Sequence, residues 1–240
     1  MIPMPAAPSI SSTAPASSSL TAKLFDMLAS PGEVLDEVVA APPRFTNWLV
    51  PTVLVALASL FLLRAASNEG VSVTPTSHAL DPQSTAISPA TAQAEPGSVE
   101  WQRVSAVATC LGAFAGTFWS AFLLWFIGRA FLRTRFSYLK TVEVVALAGS
   151  IVVLGAIVTA LLISISGDPA TRPALSFFAR HLPSDNPVRL LLDTFNLFHL
   201  WTIAVLAIGL SRLSGVSFKE SAIWVFGYWL VARVALILLA

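Results

Sequence analysis

Charge is scarce in this chain. Only 11% of its 240 residues are Asp, Glu, Lys or Arg, where a soluble domain carries about 25%. A surface that poor in charge excludes an ordinary soluble globule and points to an integral membrane protein. Basic and acidic residues nearly cancel, at 14 and 13, so no concentrated basic surface exists for a nucleic acid. Cysteine is almost absent: Cys110 is the one thiol and lies in an apolar run, which excludes a disulfide framework within the chain. Residues 1–20 (MIPMPAAPSISSTAPASSSL) lack both a charged side chain and an apolar heart. That pattern excludes a signal peptide and predicts a disordered Ser/Pro/Ala-rich cytoplasmic tail ahead of a membrane domain over 21–240.

What the chain has in quantity is apolar sequence, 55% hydrophobic with a mean hydropathy of +0.76. A bilayer core of about 30 Å takes roughly 20 apolar residues as helix. The runs at 48–66, 104–132, 141–166, 192–211 and 221–240 predict an all-α polytopic protein of five transmembrane helices. The 67–100 segment becomes an outer loop that holds no Lys or Arg. With the N-terminus inside, eight basic residues face the cytoplasm (Lys23, Arg44, Arg129, Arg133, Arg135, Lys140, Arg212, Lys219). Five lie outside (Arg64, Arg103, Arg172, Arg180, Arg189). This bias predicts a cytoplasmic N-terminus and an outer C-terminus, with the dense 133–140 turn (RTRFSYLK) as an inside anchor.

Ahead of the first span, residues 30–43 (SPGEVLDEVVAAPP) read as one short helix. Ser30 and Glu33 have capping-box spacing, Pro31 suits the first helical position, and Pro42–Pro43 stop the helix. At 100° per residue, Val34, Leu35, Val38 and Val39 fall within an arc of about 140°, opposite Glu33, Asp36 and Glu37. A helix that binds lipid by itself is basic on its polar face. This one is acidic, so its stripe is expected to pack on protein, with the basic 133–140 turn as the nearest complement and a protein partner on the cytoplasmic side as the sharper alternative.

The segment LFDMLASPGEVLDEVVAAPPRFTNWLVPTVLVAL resembles the lead-in to the first of five spans in bacterial Yip-family membrane proteins. LLDTFNLFHLWTIAVLAIGLSRLSGVSFKESAIW resembles that family's run of Asp and Phe, Trp, then Leu-x-x-Gly-Leu and a return helix. WFIGRAFLRTRFSYLKTVEVVALAGS is similar to its second turn. The resemblance covers about residues 24–240 apart from the 67–100 loop. The aspartate-leucine-tyrosine-glycine and glycine-tyrosine motifs of the eukaryotic branch are missing, and with them the basis for transferring that branch's role with prenylated Rab-type GTPases. The resemblance implies a fold and a membrane location and little chemistry; the chain is expected to act as a non-enzymatic scaffold or adaptor in the inner membrane.

Charged groups at membrane depth are functional candidates by default. Asp193, Asn196 and His199 recur every three residues in the predicted fourth span, fanning over about 120° of its surface. Arg233 lies 14 residues beyond Lys219, about 21 Å along a helix. An Arg233–Asp193 pair assisted by Asn196 or His199 is expected, as a clamp between neighbouring helices or as a proton or solute relay. Glu143 reads as a solvated group near the inner interface. Gly112 and Gly116 make a small-residue face for packing within the bundle or for a homo-oligomer contact, and Trp119, Trp125 and Trp229 are expected to pack between helices. No H-E-x-x-H, G-x-S-x-G or phosphate loop is present, His78 and His181 lack ligand partners at metal spacing, and no cofactor is expected. The alternative to the scaffold reading is a small permease using the outer-half polar cluster.

Overall fold

In a computed structural model described over residues 18–68, 99–167, 171–179 and 195–239, with isolated positions between the last two segments, the long apolar runs are helices. They are α1 (Leu20–Ala29), α2 (Pro31–Ala40), α3 (Phe45–Asn68), α4 (Val99–Ala130), α5 (Tyr138–Ser166), α6 (Leu197–Ser214) and α7 (Phe218–Leu239), with a short 3₁₀ turn at Leu175–Ala179. No strand occurs among the described residues; Ala174 and Asn196 form one isolated antiparallel bridge. The expected tail at 1–20 lies outside the described residues up to position 17, and most of the 67–100 loop does so too.

Among the described residues four helices are long and apolar enough to cross a membrane, within α3, α4, α5 and α6. The fifth expected span coincides with α7, whose length includes Lys219, Glu220 and Arg233. Span four begins later than 192, because α6 starts only at Leu197.

The bundle is built around α5. Residues 140–149 are buried without interruption, the signature of a helix enclosed on all sides. Helices α3, α4 and α6 pack around it, and α7 packs chiefly on α6. Close approach depends on glycines: a Cβ on Gly149 would lie 2.9 Å from Val55 of α3, and one on Gly209 of α6 would lie 2.4 Å from Val144. Without a water-driven force between helices in lipid, such contact is a main source of helix association. Outward-facing apolar residues such as Leu57, Phe61, Leu111, Phe122, Leu161 and Val231 stay exposed, as spans bordered by hydrocarbon require. Trp119, expected between helices, is 48% exposed and stacks on Phe122 instead.

The helix predicted at 30–43 proves to be the second arm of a hairpin. Ser30 is the joint: its N–H donates to the Asp26 carbonyl at the end of α1, and its side chain makes no cap. The capping box is therefore not formed, while Pro31 holds the first helical position as expected. Val34, Leu35 and Val38 are buried with Met27 against Val144, Leu147, Ile151 and Val205. The stripe thus packs on α5 and α6 of the same chain. Full burial of each such side chain contributes roughly 1.5–3 kcal/mol.

Candidate functional site

Pro42 sets up a buried charged site in the bundle. In a continuing helix the Val38 carbonyl would accept from the N–H of residue 42, and proline has none. The acceptor is instead taken by Lys140 of α5, whose Nζ lies 2.7 Å from the Val38 oxygen. A cation at the C-terminus of α2 also opposes the negative end of its dipole. The same Nζ lies 2.6 Å from Oε2 of Glu143, one turn further along α5. Glu143 Oε1 in turn accepts from the Arg44 N–H and from Asn47 Nδ2, the latter at 3.3 Å. These are donors at the start of α3, where the first amides lack helical partners and a carboxylate is favoured.

Lys140 and Glu143 therefore act as one two-headed cap, closing α2 with the cation and opening α3 with the anion. Both are buried, Glu143 at 0% exposure and Lys140 at 8%. The solvated Glu143 expected from the sequence is corrected accordingly. A buried pair of this kind earns little net stability, but removing one partner leaves an uncompensated charge.

The acidic face of α2 has other partners than the expected basic turn. Glu37 accepts from the Ser18 N–H (3.1 Å) and hydroxyl, and pairs with Lys23 of α1 at 3.1 Å. Lys23 is only 3% exposed. Burial alone would raise the Glu37 carboxyl, but the Ser18 bonds and the Lys23 ammonium together hold it below the usual carboxylate range. Asp36 meets Arg212 at the end of α6, 3.2 Å away and largely exposed. Glu33 is exposed. Of the 133–140 turn, only Lys140 bonds to α2, and it does so through a backbone carbonyl rather than the acidic face.

The outer polar cluster is also rearranged. Asn196 is not on the face of α6 but caps it, with extended backbone (φ −81°, ψ 133°) and its side-chain oxygen accepting from the Phe198 and His199 N–H groups. A shared helical face for Asp193, Asn196 and His199 is thereby overturned, since Asn196 precedes the helix. His199 is buried, and its Nε2 accepts from Trp229 Nε1 of α7 at 2.6 Å. Arg233 is partly buried in α7. Asp193, and with it the expected Arg233–Asp193 pair, lies outside the described residues. Gly112 and Gly116 are buried within α4.

The sequence profile of the Yip1 domain matches residues 25–240. The chain belongs to the Yip1 domain family. No curated protein and no solved structure matches it. As a Yip1-domain protein it is an integral membrane protein of a generally non-enzymatic family. The match begins within α1, so the Lys140–Glu143 cap and the hairpin from the middle of α1 onward belong to the domain. The cap was missed at the level of sequence, although Pro42 four residues after Val38 was a legible signal of an unsatisfied carbonyl.

Proposed function

We propose that this Yip1-domain protein is a non-enzymatic scaffold or adaptor of a bacterial inner membrane, offering its α1–α2 hairpin to a protein partner on the cytoplasmic side. In this reading α7 crosses as the fifth span, the N-terminus is inside and the C-terminus outside, following the distribution of basic residues. The observation that carries it is the division of labour on the hairpin. Its inner groups are committed, the Val38 carbonyl and the Val34–Leu35–Val38 stripe to the bundle and Glu37 to Lys23 within the hairpin. Its outer carboxylates, Asp26 and Glu33, are exposed and make no ion pair with any described residue. An acidic, rigidly seated face suits a basic protein surface better than an anionic leaflet, which repels it.

Photo-crosslinking from the exposed position 29, between Asp26 and Glu33 on the hairpin, in native membranes and followed by mass spectrometry, tests this. A discrete protein partner lost on Asp26→Lys with Glu33→Lys is the expected result. An unchanged crosslink pattern in that variant, with unchanged melting in detergent, removes the reading. A proton or solute flux in proteoliposomes, abolished by Arg233→Leu in a normally folded protein, would replace it with the permease reading.

A further inference from the structure

The α4–α5 turn was expected to neutralise the acidic helix, and it does not. Its backbone is nevertheless firmly built. Phe131 and Leu132 both donate to the Ile127 carbonyl, at 3.0 and 3.3 Å, and Thr134 donates to the Gly128 carbonyl through both its N–H and its hydroxyl, at 3.1 Å each. Phe136 closes over Gly128 so tightly that a Cβ there would meet its ring at 2.3 Å. Within this turn Arg133 holds a left-handed backbone (φ 55°), a conformation that disfavours side chains other than those of Gly, Asn and Asp.

The guanidinium groups set on this frame make no ion pair with any described residue. Arg133 and Arg135 are exposed and make no ion pair or side-chain hydrogen bond with any described residue. The exposed Arg129 lies with its guanidinium 5.4 Å from the Trp125 ring centroid. Of the hairpin carboxylates, Glu37 is engaged by Lys23 and Asp36 by Arg212, and neither Asp26 nor Glu33 makes an ion pair with the turn. The exposed ring of Phe131 in the turn stacks on the exposed Trp224 of α7 at 4.3 Å. One apolar helix ends at Ala130 and the next begins at Tyr138, so the arginines stand where hydrocarbon gives way to headgroups and the aromatic pair lies at that boundary.

We propose that Arg129, Arg133 and Arg135 form a binding site for the phosphate of an anionic phospholipid, with its acyl chains against Phe131 and Trp224. The arginine fork matches phosphate oxygens bidentately, and the exposed Phe131 of the same turn, stacked on the exposed Trp224, favours a lipid over a soluble anion. This site is separate from the hairpin and stands whether or not the hairpin takes a protein partner.

The test uses the full chain in nanodiscs of mixed phosphatidylglycerol and phosphatidylcholine, with the lipid retained by the released protein counted by native mass spectrometry. The variant is Arg133→Asn with Arg135→Gln, because asparagine tolerates the left-handed backbone. Arg103→Gln, in the first turns of α4 at the opposite end, is the control. The wild type should retain phosphatidylglycerol preferentially, the double variant should lose roughly fivefold of that preference per arginine, and the control should match the wild type. Equal retention in wild type and double variant overturns the proposal, as does an equal loss in the Arg103 control. Should the double variant fail to fold, Arg135→Gln alone, which leaves the left-handed position intact, decides in the same way.

Discussion

One ammonium group, that of Lys140, lies 2.7 Å from the Val38 carbonyl and 2.6 Å from the Glu143 carboxylate, so a single side chain ties the end of α2 to the anion that starts α3. Removing one member strands the other in a buried site. We expect Lys140→Met to destabilise the fold by about 3–5 kcal/mol, the range for a broken buried ion pair. Adding Glu143→Gln should recover part of this loss, because glutamine keeps an oxygen for the Arg44 and Asn47 donors without the charge. Apparent melting temperatures of the single and double variants in one detergent check this, and a Lys140→Met protein that melts with the wild type would refute it.

The hairpin's own clip should respond to acid. Glu37 has its carboxyl lowered in the folded protein, with the Ser18 bonds and Lys23 outweighing the effect of burial. A group lowered on folding stabilises the native state above its unfolded value, about 4.3 for Glu, and that contribution is lost as pH falls through the folded value. Hydrogen exchange at the α1 amides should therefore accelerate as pH drops below about 4.3, after correction for intrinsic rates. In Glu37→Gln this acceleration should disappear. A variant that keeps the full acid response would assign the effect to another group.

The parts of this fold legible in the sequence are those with a one-dimensional signature. The uninterrupted apolar runs located α3 and α5 with starts within a turn of those observed, and Pro31 and Pro42 bracketed α2. The α1 arm was not seen because ten residues containing Lys23 and Asp26 form no membrane-grade run, and the burial of Lys23 beside Glu37 of the next helix leaves no mark in that run. Burial of Glu143 was equally out of reach: besides the bond from Lys140, its acceptor bonds come from residues 99 and 96 positions away. A helix that is apolar all round gives no polar face on which to place such a group. Asn196 was misplaced for a different reason, since spacing by three is shared by a helix face and by an N-cap followed by its first turn.

Close packing at the α5–α6 crossing gives a third test. Because a Cβ on Gly209 would sit 2.4 Å from Val144 Cγ1, Gly209→Ala must push α6 away or force Val144 off its rotamer. Overpacking of this size costs about 1–3 kcal/mol. Val144→Ala in the same protein should restore part of the loss by vacating the overlap. By contrast Gly227→Ala, where no atom lies within 4 Å of the added carbon, should leave melting unchanged or raise it slightly through helix propensity. Equal melting of Gly209→Ala and Gly227→Ala would contradict the close approach of the two helices.

The bond from Trp229 Nε1 to His199 Nε2, 2.6 Å long, joins α7 to the start of α6. Because Nε2 accepts, His199 must carry its proton on Nδ1, and a doubly protonated ring could not keep the bond. Trp229→Phe retains a ring near Phe195, whose centroid lies 5.8 Å from that of the indole, but deletes the donor. The expected cost is about 1 kcal/mol for the hydrogen bond itself, plus the packing lost with the smaller ring. A double-mutant cycle with His199→Leu separates the two contributions. Coupling of about 0.5–1.5 kcal/mol assigns the effect to the bond, and coupling near zero would show that Trp229 holds α7 through packing alone.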